Sequence, residues 1–179
     1  MTDKTDSALL REHLNGRTEA FDLFYQRHAR PLFSYLLSGV KNKLEAEELL
    51  QVIFVKIFKV ARRIAGLDDI RAYLFQTARC VIADHYRRNP GKREKPLPKS
   101  ICLMCAKAGP GNETANKELA QAMLFSLPDE QRETVALRIF SGLDFREIAQ
   151  VMNTNINTAA YRYQSALKKL KERYHDRIK

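Results

Sequence analysis

The chain has 179 residues and 45% hydrophobic content, enough for one compact domain or two small ones and too apolar for disorder throughout. Its 31 Lys and Arg against 21 Asp and Glu leave a formal charge of +10, which calls for a polyanionic partner, nucleic acid before an anionic membrane. No apolar run approaches the roughly 18 residues of a membrane span, the polar start lacks the pattern of a secretory signal, and three cysteines do not make a disulfide scaffold, so a cytoplasmic protein is expected.

Apolar residues recur at spacings of three and four almost throughout, which predicts an all-α fold. Phe21, Phe24, His28, Leu32 and Tyr35 form the first stripe, with Pro31 expected to kink or split its helix. Leu49, Leu50, Ile53, Phe54, Ile57, Phe58 and Ala61 form the second. Glu45, Glu47 and Glu48 open it, where carboxylates suit the positive helix end. Tyr73, Leu74, Thr77, Ala78, Val81 and Ile82 form the third, with Asp68 or Asp69 as its cap. From Asn89 to Gly111 the pattern stops, and four of the six prolines fall here beside a basic run from Arg87 to Lys99. Such a stretch breaks helix and strand alike. The expected organisation is therefore two small helical domains, 1–88 and 113–179, joined by a flexible basic linker over 89–112.

Helical pattern resumes near Glu113 with Leu119, Ala122, Met123 and Leu127. Pro128 marks the next helix start. Val135, Ala136, Ile139 and Phe140 continue that helix to Ser141-Gly142. Asp144-Phe-Arg-Glu147 fits a capping box opening a short helix with Ile148, Ala149 and Met152. Asn153 suits a left-handed turn residue. Asn155 then caps a helix through Ala159, Tyr163, Ala166, Leu167 and Leu170. Two helices joined by a tight turn, the second of them basic, make a helix-turn-helix.

At this point the sequence resembles a family. Glu45-Ala-Glu-Glu-Leu-Leu-Gln51 with Phe54, then Ala72-Tyr-Leu-Phe-Gln-Thr-Ala-Arg79 with Asp84, Arg87 and Arg88, resembles region 2 of the bacterial sigma-70 family. Leu127-Pro-Asp-Glu-Gln-Arg132 with Gly142-Leu-Asp-Phe-Arg-Glu-Ile-Ala149 resembles its region 4. Order, linker and length all match the small extracytoplasmic-function (ECF) type. The chain departs from the pattern at Val52, Tyr73, Cys80, Ala160 and Tyr161, so promoter specificity does not carry over from relatives.

The resemblance implies an alternative RNA polymerase sigma factor, not an enzyme, with no cofactor. Its implied partners are core RNA polymerase through the β and β′ subunits, promoter DNA and an anti-sigma factor. Docking on polymerase falls to Glu48, Leu49, Gln51, Val52 and Phe54. Holding the melted -10 element falls to Arg62, Arg63, Arg71, Tyr73, Arg79, Arg87 and Arg88, since single strands are held by cations and aromatic rings. Asp84 is expected to hold a nearby Arg in place. Reading the -35 element falls to the exposed side of the last helix: Asn157, Thr158, Ala160, Tyr161, Arg162, Gln164, Ser165, Lys168 and Lys169. Arg and Gln suit guanine and adenine edges, and the lysines suit phosphate.

Cys102 and Cys105 have the spacing of half a zinc site, but no second pair exists to complete four ligands, and two ordinary thiols are expected. No Gly-rich phosphate loop or H-E-x-x-H motif points to catalysis. Two alternatives stay open at this level. One is a helix-turn-helix regulator that acts apart from polymerase. The other is a sigma factor delivered to DNA by a partner protein.

Overall fold

The computed structural model describes residues 4–92 and 122–174, and every regular element among them is helical. The first half holds α1 (Asp6–Leu14), α2 (Thr18–Val40), α3 (Lys43–Ile64) and α4 (Ile70–Arg88), followed by a 3-10 turn at Pro90–Lys92. The second half holds α5 (Asp129–Ser141), α6 (Phe145–Met152) and α7 (Ile156–Tyr174), after a helical turn over 122–125. Most of the 89–112 stretch, with Cys102 and Cys105, and Leu119 beyond it, lies outside the described residues.

Local chemistry sets most of the helix ends. Asn42 caps α3, its Oδ1 accepting from the amides of Leu44 and Glu45 at 3.0 and 3.3 Å. The helix thus starts ahead of its glutamates. Asp69 caps α4 by accepting from the Ala72 amide at 2.7 Å. Pro128 stands one residue before the first turn of α5 rather than within it. Gly142 ends that helix in the left-handed conformation, φ 63°, which glycine adopts without a Cβ clash.

Pro31 does not split its helix, because α2 runs unbroken from Thr18 to Val40. Proline removes one backbone hydrogen bond and costs about 3 kcal/mol in a helix interior. Phe24 before it and Leu32 and Leu36 after it are completely buried. Each such burial contributes about 1.5–3 kcal/mol, so packing on both sides holds the helix together.

Phe24, Leu32 and Leu36 of α2 meet Ile53, Ile57 and Ile64 of α3 and Leu74 and Phe75 of α4 in one core. Helices α2 and α4 also approach closely at Gly39, where a Cβ would stand 2.8 Å from Ile82 Cδ1. Leu137, Leu143, Ile148, Ala149 and Met152 from the second half join the same contiguous core. A smaller cluster of Leu127, Val135 and Ala166 closes α5 onto α7. The two halves therefore pack together, α5 on α2 and α6 on α4, although the sequence pattern carries no sign of that contact.

Candidate nucleic-acid interface

Helices α6 and α7 form the helix-turn-helix. Asp144 Oδ1 accepts from the Glu147 amide at 2.8 Å, and Glu147 Oε2 accepts from the Asp144 amide at 2.6 Å, completing the capping box. Asn153 turns the chain at φ 51°, ψ 54°. Asn155 Oδ1 then accepts from the Thr158 amide at 2.7 Å, which starts α7. Polar side chains that satisfy helix-end amides thus fix where each of the two helices begins.

Helix α7 divides its expected readers into two groups. Asn157, Tyr161, Gln164, Lys168 and Lys169 are exposed, Tyr161 at 71%. Thr158 and Ala160 are half-buried. Arg162 and Ser165 depart from the expectation that they lie on the exposed side. Arg162 Nη2 meets Glu130 Oε2 at 2.7 Å, and Ser165 Oγ accepts from Gln131 Nε2 at 3.1 Å. Both face α5, because they fall on the side of α7 that packs against it.

The arginines of α3 and α4 are similarly sorted. Arg62 and Arg88 are exposed. Arg87 pairs with Asp84 at 3.0 Å, matching the expectation that Asp84 holds an Arg. Arg63 donates to the Tyr73 hydroxyl at 2.9 Å, and Tyr73 lies half-buried against the core. Arg71 and Arg79 instead reach across to the second half. Arg71 meets Glu147 at 2.7 Å and Arg79 Nε meets Glu133 Oε1 at 3.0 Å. Tyr35 donates to that same Glu133 oxygen at 2.7 Å. Burial, with the Glu133 carboxylate, pushes the Tyr35 phenol well above its ordinary 10, so it stays a neutral donor. Gln76 completes the contact by donating to the Gln150 carbonyl at 3.0 Å.

On α3, Glu48, Gln51 and Val52 are exposed and Leu49 is half-buried. Phe54 differs from the expected docking role. It is 5% exposed, with its ring centroid 4.5 Å from that of Tyr25, so it supports the face from inside. Val55 and Phe58, which the sequence reading does not place on this face, are more than half exposed beside it, at 54% and 55%. Phe58 sits at core spacing in the sequence yet emerges beside Phe21 and His13. The available signal was the arc: Glu48, Gln51, Val52, Val55 and Phe58 fall within about 120° at 100° per residue.

A cleft between the halves is lined by Asp6, Arg27, His28, Arg71, Asp144 and Glu147. Asp6 meets His28 at 2.8 Å and Arg27 at 2.6 Å. Burial raises the Asp6 carboxyl, but the hydrogen bonds and charges of His28 and Arg27 outweigh it and hold the group below 3.8. Among the described residues no three His, Cys, Asp or Glu are grouped to hold a metal ion. No described helix is long and apolar enough to cross a membrane.

Two family models match the chain, Sigma-70 region 2 over residues 24–90 and Sigma-70 region 4 over residues 117–170. The ECF RNA polymerase sigma factor SigM of Bacillus subtilis is 27% identical over 158 residues, covering 85% of this chain and 95% of that protein. The ferric citrate uptake sigma factor FecI of Escherichia coli is 27% identical over 143 residues, covering 77% and 81%. Among solved structures, the sigma factor RpoE of Bartonella quintana, co-crystallised with the anti-sigma factor NepR, matches with a TM-score of 0.71 at 19% identity. That match covers 87% of this chain and 96% of the other. CnrH, in complex with the cytosolic domain of CnrY, matches with a TM-score of 0.68 at 20% identity over 96% and 98%.

Proposed function

This chain belongs to the sigma-70 family, in its ECF type, and we propose that it binds core RNA polymerase and directs promoter-specific initiation as an alternative sigma factor. The observation that carries this reading is the presence of both family regions, in order, over residues 24–90 and 117–170 of one chain. Members of this family are initiation factors rather than enzymes, so its work is binding. A helix-turn-helix regulator acting apart from polymerase would leave residues 24–90 without a role, and that reading is not favoured.

In this reading, residues 1–88 dock on polymerase and hold the -10 element, and residues 113–179 read the -35 element across the 89–112 linker. The docking face is the exposed arc of Glu48, Gln51 and Val52, extended by Val55 and Phe58. Apolar groups flanked by Gln and Glu suit a partner surface that is apolar at its centre and basic at its rim. Arg62, Arg63, Arg87 and Arg88 meet phosphate in the -10 region, and Arg71 and Arg79 join them once released from Glu147 and Glu133. The exposed face of α7 enters the major groove.

The partners are the β and β′ subunits of polymerase, promoter DNA and an anti-sigma factor. The last is supported by RpoE of Bartonella quintana, a protein of the same fold that was co-crystallised with the anti-sigma factor NepR. The site of action is the cytoplasm, where polymerase and chromosome are. The test is co-migration with core polymerase in size-exclusion chromatography. A stable complex supports the reading, and two separate peaks at micromolar concentration would return the regulator reading.

A further inference from the structure

Resting on the reading of α7 as the helix that meets the upstream element, we infer that it reads an A·T-centred sequence through Asn157, Tyr161 and Gln164. It makes no bidentate guanine contact. In the major groove guanine offers two acceptors, N7 and O6, best matched by a cationic fork. Adenine offers an acceptor and a donor, matched by an Asn or Gln amide, and thymine offers a methyl group to apolar contact.

The side chains presented by α7 are of the second kind. At 100° per residue, Asn157, Tyr161, Gln164 and Lys168 fall within about 60° of arc, and all four are exposed. Tyr161, at 71% exposure, puts an aromatic ring at one edge of that arc, between Asn157 and Gln164 along the axis. The one cation in the first nine residues of α7 is Arg162. It sits about 140° around the helix from Asn157. Its guanidinium is held at 2.7 Å by Glu130 and its side chain is 20% exposed, so it faces α5.

Lys168 lies about 16 Å further along the axis than Asn157 at 1.5 Å per residue, and its ammonium is 4.0 Å from Glu172. Recognition helices contact base edges with their N-terminal residues. Lys168 and Lys169 are therefore left to phosphate, as is the exposed Arg146 on α6, the helix that crosses the backbone.

The experiment is transcription by the full chain with core polymerase on templates whose upstream element is randomised, with sequencing of the transcribed molecules. The expected enrichment is for adenine and thymine, with no position led by guanine. Gln164→Ala is expected to relax the preference at one adenine position by about 5- to 150-fold. Tyr161→Arg is expected to convert one position to guanine. Both side chains are exposed, so thermal melts should match wild type.

A guanine-led element that disappears with Arg162→Ala would show that Arg162 leaves Glu130 to read bases, and would overturn the inference. Start sites without any upstream preference would overturn it too. In both cases initiation itself stands. Absence of start sites from every template would instead sink the sigma reading and take this inference with it.

Discussion

Arg71 donates through Nη2 to both carboxylate oxygens of Glu147, at 2.7 and 2.9 Å, and so ties α4 of the first half to the first helix of the helix-turn-helix. Glu147 serves two ends at once, since its Oε2 also accepts from the Asp144 amide. The Glu147→Gln variant separates these roles, because Gln also serves at that position of a capping box. The expected loss is about 1 kcal/mol in urea unfolding, with a larger radius of gyration as the halves loosen. An unchanged radius and unchanged stability would mean that the pair does not help hold the halves together.

The cap itself predicts a second result. Asp144→Ala removes the acceptor for the Glu147 amide and is expected to cost about 1 kcal/mol, within roughly 0.5–2. Thermal unfolding measures it. Transcription that depends on the upstream element should fall with it, because the cap holds the first turn of α6, the helix that seats the helix-turn-helix against α4.

The face of α3 separates support from contact. Phe54→Ala empties a buried site and is expected to cost about 3–5 kcal/mol of stability. Phe58→Ala removes a ring that is more than half exposed and should leave the melting temperature within a degree or two. Its affinity for core polymerase should fall about tenfold, the effect of losing a moderate interface anchor. Equal affinities of wild type and Phe58→Ala in a titration would remove Phe58 from the docking face.

Acid tests the tie between α1 and α2. Folding lowers the Asp6 carboxyl below its ordinary 3.8 through His28 and Arg27, against the opposing effect of burial. A group depressed on folding stabilises the fold above its unfolded value, and that stability is lost as pH falls through the folded value. The contribution of Asp6 is therefore intact at neutral pH and disappears below about pH 3.8. Asp6→Asn should be less stable than wild type at pH 7, and the two should converge in acid. A constant gap from pH 7 to pH 2.5 would contradict the assignment.

Much of this architecture is legible in the sequence, for local reasons. The Asp69 cap, the Asp144 capping box, the left-handed Asn153 and the Asn155 cap each depend on residues within four positions of one another. Pro31 fails to split α2 because the packing that keeps the helix continuous comes from other helices. Arg71 and Arg79 read as free cations because Glu147 and Glu133 lie 76 and 54 positions away. Arg162 has the same history, since its partner Glu130 belongs to α5. Exposure on α3 was misjudged at Phe54 and Phe58 for a geometric reason. Spacings of three and four define a stripe, but which edge of it faces solvent depends on where α1 and α2 pack.

The most direct measurement is in vitro transcription by purified core polymerase on promoter-library DNA, with and without this protein. Discrete new start sites are expected only when the protein is present, with two aligned upstream elements. Polymerase that neither binds the protein nor gains any start site would contradict the sigma reading.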